Sequence, residues 1–153
     1  MYEDIHFEDN MKDKLIYSHD NSDTLEFNSF QWVVTNGAIV AYSESYVYYC
    51  LIDSKNDKVK SLQQVDFKID TEQMRVSYIH KCRDRNLLVI ILSNNDYKFL
   101  TLVWDLITNT EKHNYSSDSY NKHFSGANSA SGYLLMNDFY VNLDTGLANY
   151  FYE

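Results

Sequence analysis

Proline is absent from this chain, and its 153 residues include only four glycines. Turns must therefore rest on Asn, Asp and Ser, whose short side chains bond nearby backbone or tolerate left-handed geometry. Basic residues are also scarce: 13 Lys and Arg stand against 22 Asp and Glu, a formal net charge of −9. That balance lacks the basic footprint with which proteins hold a phosphate backbone. An anionic membrane surface would repel it too. Direct nucleic-acid and membrane partners are accordingly not expected, whereas a basic protein partner is compatible with the charge. The only cysteines are Cys50 and Cys82. Each lies in an apolar, strand-like run, where a free thiol packs as a small hydrophobe. The opening stretch, residues 1–10, is acidic and has no apolar leader segment, so neither secretion nor a disulfide is expected. The expected compartment is cytoplasmic or nuclear. Long hydrophobic runs are missing as well. The longest aliphatic one, Leu87–Leu92, has six residues, far short of a membrane span.

What remains is rich in strand formers. Hydrophobic residues make up 44% and aromatics 16%, with 14 tyrosines. Aromatic and β-branched side chains favour a pleated, half-buried surface. At 153 residues a single domain with a sizeable core is expected. Residues 1–26 are polar and read as an acidic arm with one short apolar run, Leu15-Ile-Tyr17. From residue 27 onward, short apolar segments alternate with turn-forming clusters. Residues 30–34 and 38–42 flank Asn36-Gly37, the strongest short hairpin signal. Residues 46–52 and 58–62 read as two further strands. The pattern restarts at residues 74–80, 86–92, 97–105 and 111–115, and again at residues 132–136, 139–143 and 147–152. His123-Phe124 reads as the start of a short strand, and 127–131 as a small-residue loop. Residues 69–75 read as a connection that competes with a helical turn. Three units result, 27–64, 65–115 and 116–153, with an all-β fold of blade-like, antiparallel four-stranded sheets.

The best-formed unit ends its third strand on Leu102-Val-Trp-Asp105, followed by a turn through Thr108-Asn109. Asp53 and Asp144 stand in similar places without the tryptophan. These residues resemble the WD-repeat β-propellers, in which a Trp-Asp pair closes the third strand of each blade. The resemblance implies a propeller of four-stranded blades and a role in binding proteins. It departs from the family pattern in lacking the upstream Gly-His pair, with Ile79-His80 nearby instead. Three units also do not close a ring of four to eight blades. A partial β-propeller, or alternatively a β-sandwich or β-barrel, is therefore expected.

No catalytic or ligand motif stands out. The five histidines form no metal-binding pair, neither cysteine sits in a C-x-x-C, and the Asp53–Asp57 cluster places Lys55 where a calcium loop needs an oxygen ligand. Glycine-rich phosphate loops and nucleophile elbows are absent. No catalytic residue, metal or cofactor is therefore assigned, and the chain is expected not to be an enzyme. The leading expectation is a protein–protein interaction module, a subunit or adaptor of a larger assembly. Its partner would be another protein, basic or supplying missing strands or blades, or a second copy in a homo-oligomer. The alternatives are a small acidic inhibitor or immunity-type protein that blocks a basic target, and a hydrolase or ligand-binding barrel. Tyr46, Tyr48, Tyr150 and Tyr152 are the candidate partner-binding residues, because tyrosine brings large area to interfaces. Asp53, Trp104, Asp105 and Asp144 are the structural repeat markers.

Overall fold

The computed structural model describes residues 2–4, 31–35, 37–53, 55–56, 58–68, 73–96, 98–118, 127–136 and 139–151. Among these residues there are fourteen strands and no helix. They are β1 (Tyr2–Asp4), β2 (Gln31–Thr35), β3 (Ala38–Tyr42), β4 (Val47–Asp53), β5 (Lys58–Lys60), β6 (Gln63–Gln64), β7 (Arg75–Lys81), β8 (Leu87–Ser93), β9 (Lys98–Asp105), β10 (Thr110–Asp118), β11 (Asn128–Ala130), β12 (Tyr133–Leu135), β13 (Phe139–Asn142) and β14 (Ala148–Tyr150). The fold is all-β, built from three antiparallel meander sheets of the four-stranded, blade-like kind. The chain divides into two compact units, Met1–Lys68 and Ile69–Glu153. The second and third sequence units thus share one body.

In the first unit, β2, β3 and β4 follow one another across the sheet. The fourth position is an interrupted strand: β5 pairs with Ile52 and Asp53 of β4, whereas β6 pairs with Tyr48 and Tyr49. The break falls at Ser61-Leu62, where Leu62 turns onto the core around Ile39, Ala41, Tyr48, Cys50 and Val59. β1 adds outside β5, with Tyr2 opposite Lys60 and Asp4 opposite Lys58. Part of the expected acidic arm is therefore sheet, and the rest lies outside the described residues.

The second unit holds two sheets in the orders β10-β9-β8-β7 and β11-β12-β13-β14. They share one core. Leu87, Val89, Ile91 and Val103 come from one sheet and Leu134, Phe139 and Val141 from the other. Alternation sends Leu88, Ile90 and Leu92 to the opposite face of β8, and these are also buried. A strand buried on both faces reads as the continuous aliphatic run seen in the sequence. A bulge between Val76 and Tyr78 shifts the register of β7 against β8. Arg75 opens β7; of the expected 69–75 connection, 69–72 lie outside the described residues. His123-Phe124 also lies outside them. Among the described residues the first strand of the last sheet is β11, inside the stretch expected to be loop. Ser131 (φ 52°) and Gly132 (φ 83°) join it to β12, the two left-handed residues that a tight hairpin of matching twist requires.

The third strands end on one recurring device. Asp105 ends β9, and its Oδ1 accepts the backbone N–H groups of Ile107 (2.8 Å) and Thr108 (3.1 Å). Asp53 ends β4 and accepts from Lys55 N (3.2 Å) and Asn56 Nδ2 (2.8 Å). In the last sheet Asn142 takes this place, accepting from Asp144 N (2.9 Å) and Thr145 N (3.2 Å). The repeat marker there is Asn142, not Asp144, because an amide oxygen caps the turn as well as a carboxylate does. Residues at the matching later position, Asn109 (φ 54°) and Gly146 (φ 79°), are both left-handed. The Trp104 indole is buried, and its Nε1 donates to Asn109 Oδ1 at 2.9 Å. Both halves of the Trp-Asp pair thus fix one turn.

Candidate functional site: the outward face of the last sheet

Polar contacts ring the shared core of the second unit. Arg85, in the β7–β8 turn, pairs through both terminal nitrogens with the Asp144 carboxylate in the β13–β14 turn. That hydrogen-bonded pairing holds Asp144 below the usual carboxylate range. Beneath the same turn the buried Lys81 ammonium donates to the carbonyls of Cys82 (2.9 Å) and Arg85 (2.7 Å). Tyr115 Oη donates to Gly146 O at 2.6 Å, and the His113 ring covers Gly146 so closely that a Cβ there would lie 2.5 Å from Cε1.

One further cluster was invisible in the sequence because its members are far apart. His80 Nε2 lies 2.9 Å from Ser129 Oγ, and Ser129 also bonds the Cys82 thiol. Burial, with help from the Lys81 charge, pushes the His80 imidazole below its ordinary value, so it stays neutral. Burial pushes the Cys82 thiol up, into the protonated form that is a poor nucleophile. A shallow, open cleft is lined by Cys82, Arg85 and Ser129 but not by His80. The cluster joins edge strand β7 to edge strand β11. Among the described residues, no group of three or more His, Cys, Asp or Glu could hold a metal ion. No described helix is long and apolar enough to cross a membrane.

The outward face of the last sheet is different in kind. Alternation along β12 buries Leu134 against the shared core and leaves Tyr133 and Leu135 on the other side, 48% and 51% exposed. Along β13 the core takes Phe139 and Val141, so Tyr140 points outward. Its register partners are Leu135 on β12 and Asn149 on β14. Phe151, 48% exposed, follows β14 and sets its ring 5.7 Å from that of Tyr140, and Tyr133 stands 6.3 Å from Tyr140 at an edge-on tilt. Asn128, Asn142 and Asn149 complete the face. None of the four strands β11–β14 carries a charged residue. Every other sheet does, as at Lys58 and Lys60 on β5 or Glu111 and Lys112 on β10. Apolar and aromatic area without charge is the composition of an interface centre.

The expected binding tyrosines fall in several places. Tyr150 is 50% exposed, but its ring lies on the core side, 5.2 Å from Phe139. Tyr152 lies outside the described residues. Tyr46 is 40% exposed and stacks on Tyr48 at 6.3 Å. Tyr48 itself is 1% exposed and cannot present a surface. Its hydroxyl is pushed up to about 12 by burial, with the neighbouring Tyr46 adding to the shift. Tyr48 and Tyr49 point to opposite faces as alternation requires, yet both faces of β4 are covered. The residues missed were Tyr133, Leu135, Tyr140 and Phe151. For Tyr133, Leu135 and Tyr140 the signal was the charge-free composition of residues 126–136 and 139–143; for Phe151 it was the aromatic run at residues 150–152.

No family model matches the chain, and no curated protein matches it. Among solved structures, a chain of "Crystal Structure of Mitotic Checkpoint Complex" is similar, with 16% identity and a TM-score of 0.47. The match covers 77% of this chain and 35% of that one, so the chain spans about a third of the length of its structural neighbour.

Proposed function

We propose that this chain is a non-catalytic protein–protein interaction module whose contact surface is the outward face of the last sheet. The observation that carries this reading is the charge-free face of half-exposed Tyr133, Leu135 and Phe151 around Tyr140. A soluble surface rarely concentrates apolar area in this way without an occupant. In this reading the three sheets are blades of a β-propeller, and a further sheet is the natural cover for the last one. Purification from the native source should recover a partner polypeptide in fixed stoichiometry, and Leu135→Asp should lose it while remaining folded. Retention of that partner by the Leu135→Asp chain would sink the reading.

The net charge of −9 favours a second reading, an acidic inhibitor of a basic target. The two separate on salt. Binding by charge weakens steeply between low and physiological ionic strength, whereas binding through this face does not.

A further inference from the structure

We propose that the occupant of this face is a second copy of the chain, so that two β11–β14 sheets pack face to face about a twofold axis. The inference rests on the interaction reading above and narrows its partner. A twofold contact brings a surface patch against itself, so a patch of net negative charge meets the same net charge. With 22 acidic residues against 13 basic ones, most surfaces of this chain resist such pairing. The charge-free strands of the last sheet do not. Asn149 carries both donors and an acceptor, and the amide nitrogens of Asn128 and Asn142 add donors, so asparagine can meet asparagine across the axis.

The geometry already exists once in the molecule. The opposite face of the same sheet packs on a four-stranded sheet through Leu134, Phe139 and Val141. Two twisted sheets stack in this way about 10 Å apart. The outward face offers the same alternation with larger side chains. Size sets the strength. Aromatic side chains bury ~150–250 Å² each, so the half-exposed Tyr133 and Phe151, with the smaller Leu135, supply at most roughly 300 Å² per copy. A standard interface buries about 800 Å² per partner. The dimer is therefore weak, reversible and concentration-dependent.

Sedimentation equilibrium of the full chain tests this. The mass should rise from 18.1 kDa towards twice that value as concentration increases from about 5 to 500 µM, the range of a weak interface. Added salt should favour the heavier species, because it screens the net negative charge and leaves the apolar contact intact. Leu135→Asp and, independently, Asn149→Asp should hold the chain at its monomer mass across that range, with near-ultraviolet circular dichroism unchanged. A wild-type chain that stays monomeric throughout overturns the inference. So does a dimer that persists in both variants, since its contact then lies elsewhere. If the wild type is monomeric but a different partner co-purifies and is lost in Leu135→Asp, the second-copy inference falls and the interaction reading stands. Absence of both self-association and any partner removes both.

Discussion

The Trp104–Asn109 hydrogen bond and the left-handed backbone of Asn109 define a separable pair of effects. Asn109→Ala removes the acceptor of a buried indole N–H and strains the turn, and should cost about 1–3 kcal/mol in urea unfolding. Asn109→Gly relieves only the strain and should recover part of that loss. Gly146→Ala should also destabilise, because φ is +79° and the new Cβ would meet His113 Cε1 at 2.5 Å. Combining it with His113→Ala should restore the steric share and leave the backbone share, so the two substitutions should not add. His80 gives a pH dependence. Its folded-state value is depressed below 6.5, so the unfolded chain takes up the proton first as pH falls. Stability is therefore unaffected by His80 above 6.5 and declines below it. Urea midpoints at pH 7.5 and 5.5 should differ less in His80→Gln, which keeps a polar contact with Ser129. At this scale Trp104 and Asp105 were legible because a side chain followed by its own turn is a local code. Asn142 was not, because asparagine and aspartate cap turns equally well and Asp144, nearby in sequence, is occupied by Arg85. Tyr48 was misplaced because alternation gives the face of a side chain, not whether that face is covered.

Strand β8 anchors the second unit, with Leu88, Val89, Ile90, Ile91 and Leu92 all at 0% exposure. Ile90→Ala should cost about 2–5 kcal/mol, the range for a buried aliphatic truncation. Hydrogen exchange should find the slowest amides of this unit on β8 and faster ones on the edge strands β11 and β14. Most strands were legible, since their aliphatic and aromatic runs are bounded by Asn, Asp, Ser and Gly. β11 was not. Asn128-Ser-Ala130 has weak strand preference, and its place in the sheet comes from pairing with β12 and from the Ser129–His80 contact. The break between β5 and β6 was equally hidden, because it depends on Leu62 turning to a core assembled from other strands. The outward face of the last sheet was written in the sequence as an absence of charge, but its meaning depended on knowing which side of each strand the core takes.

For the whole molecule, the chain divides into two compact units, the first sheet lying in one and the other two sheets in the second. The all-β class follows from composition and turn chemistry, whereas the grouping of sheets depends on long-range packing that no local pattern records. One pairing has a consequence for how the chain is made. β1 bonds β5, joining residues 2–4 to residues 58–60. On a ribosome, which adds residues in order, the first strand must wait for its neighbour to be synthesised and to clear the exit tunnel. Meanwhile β2, β3 and β4 can meet through short hairpins, and closing a loop of this length comes at a greater entropic cost. The earliest-made segment of the first sheet thus cannot dock until β5 has emerged, and it stays open to chaperones or proteases for the whole interval.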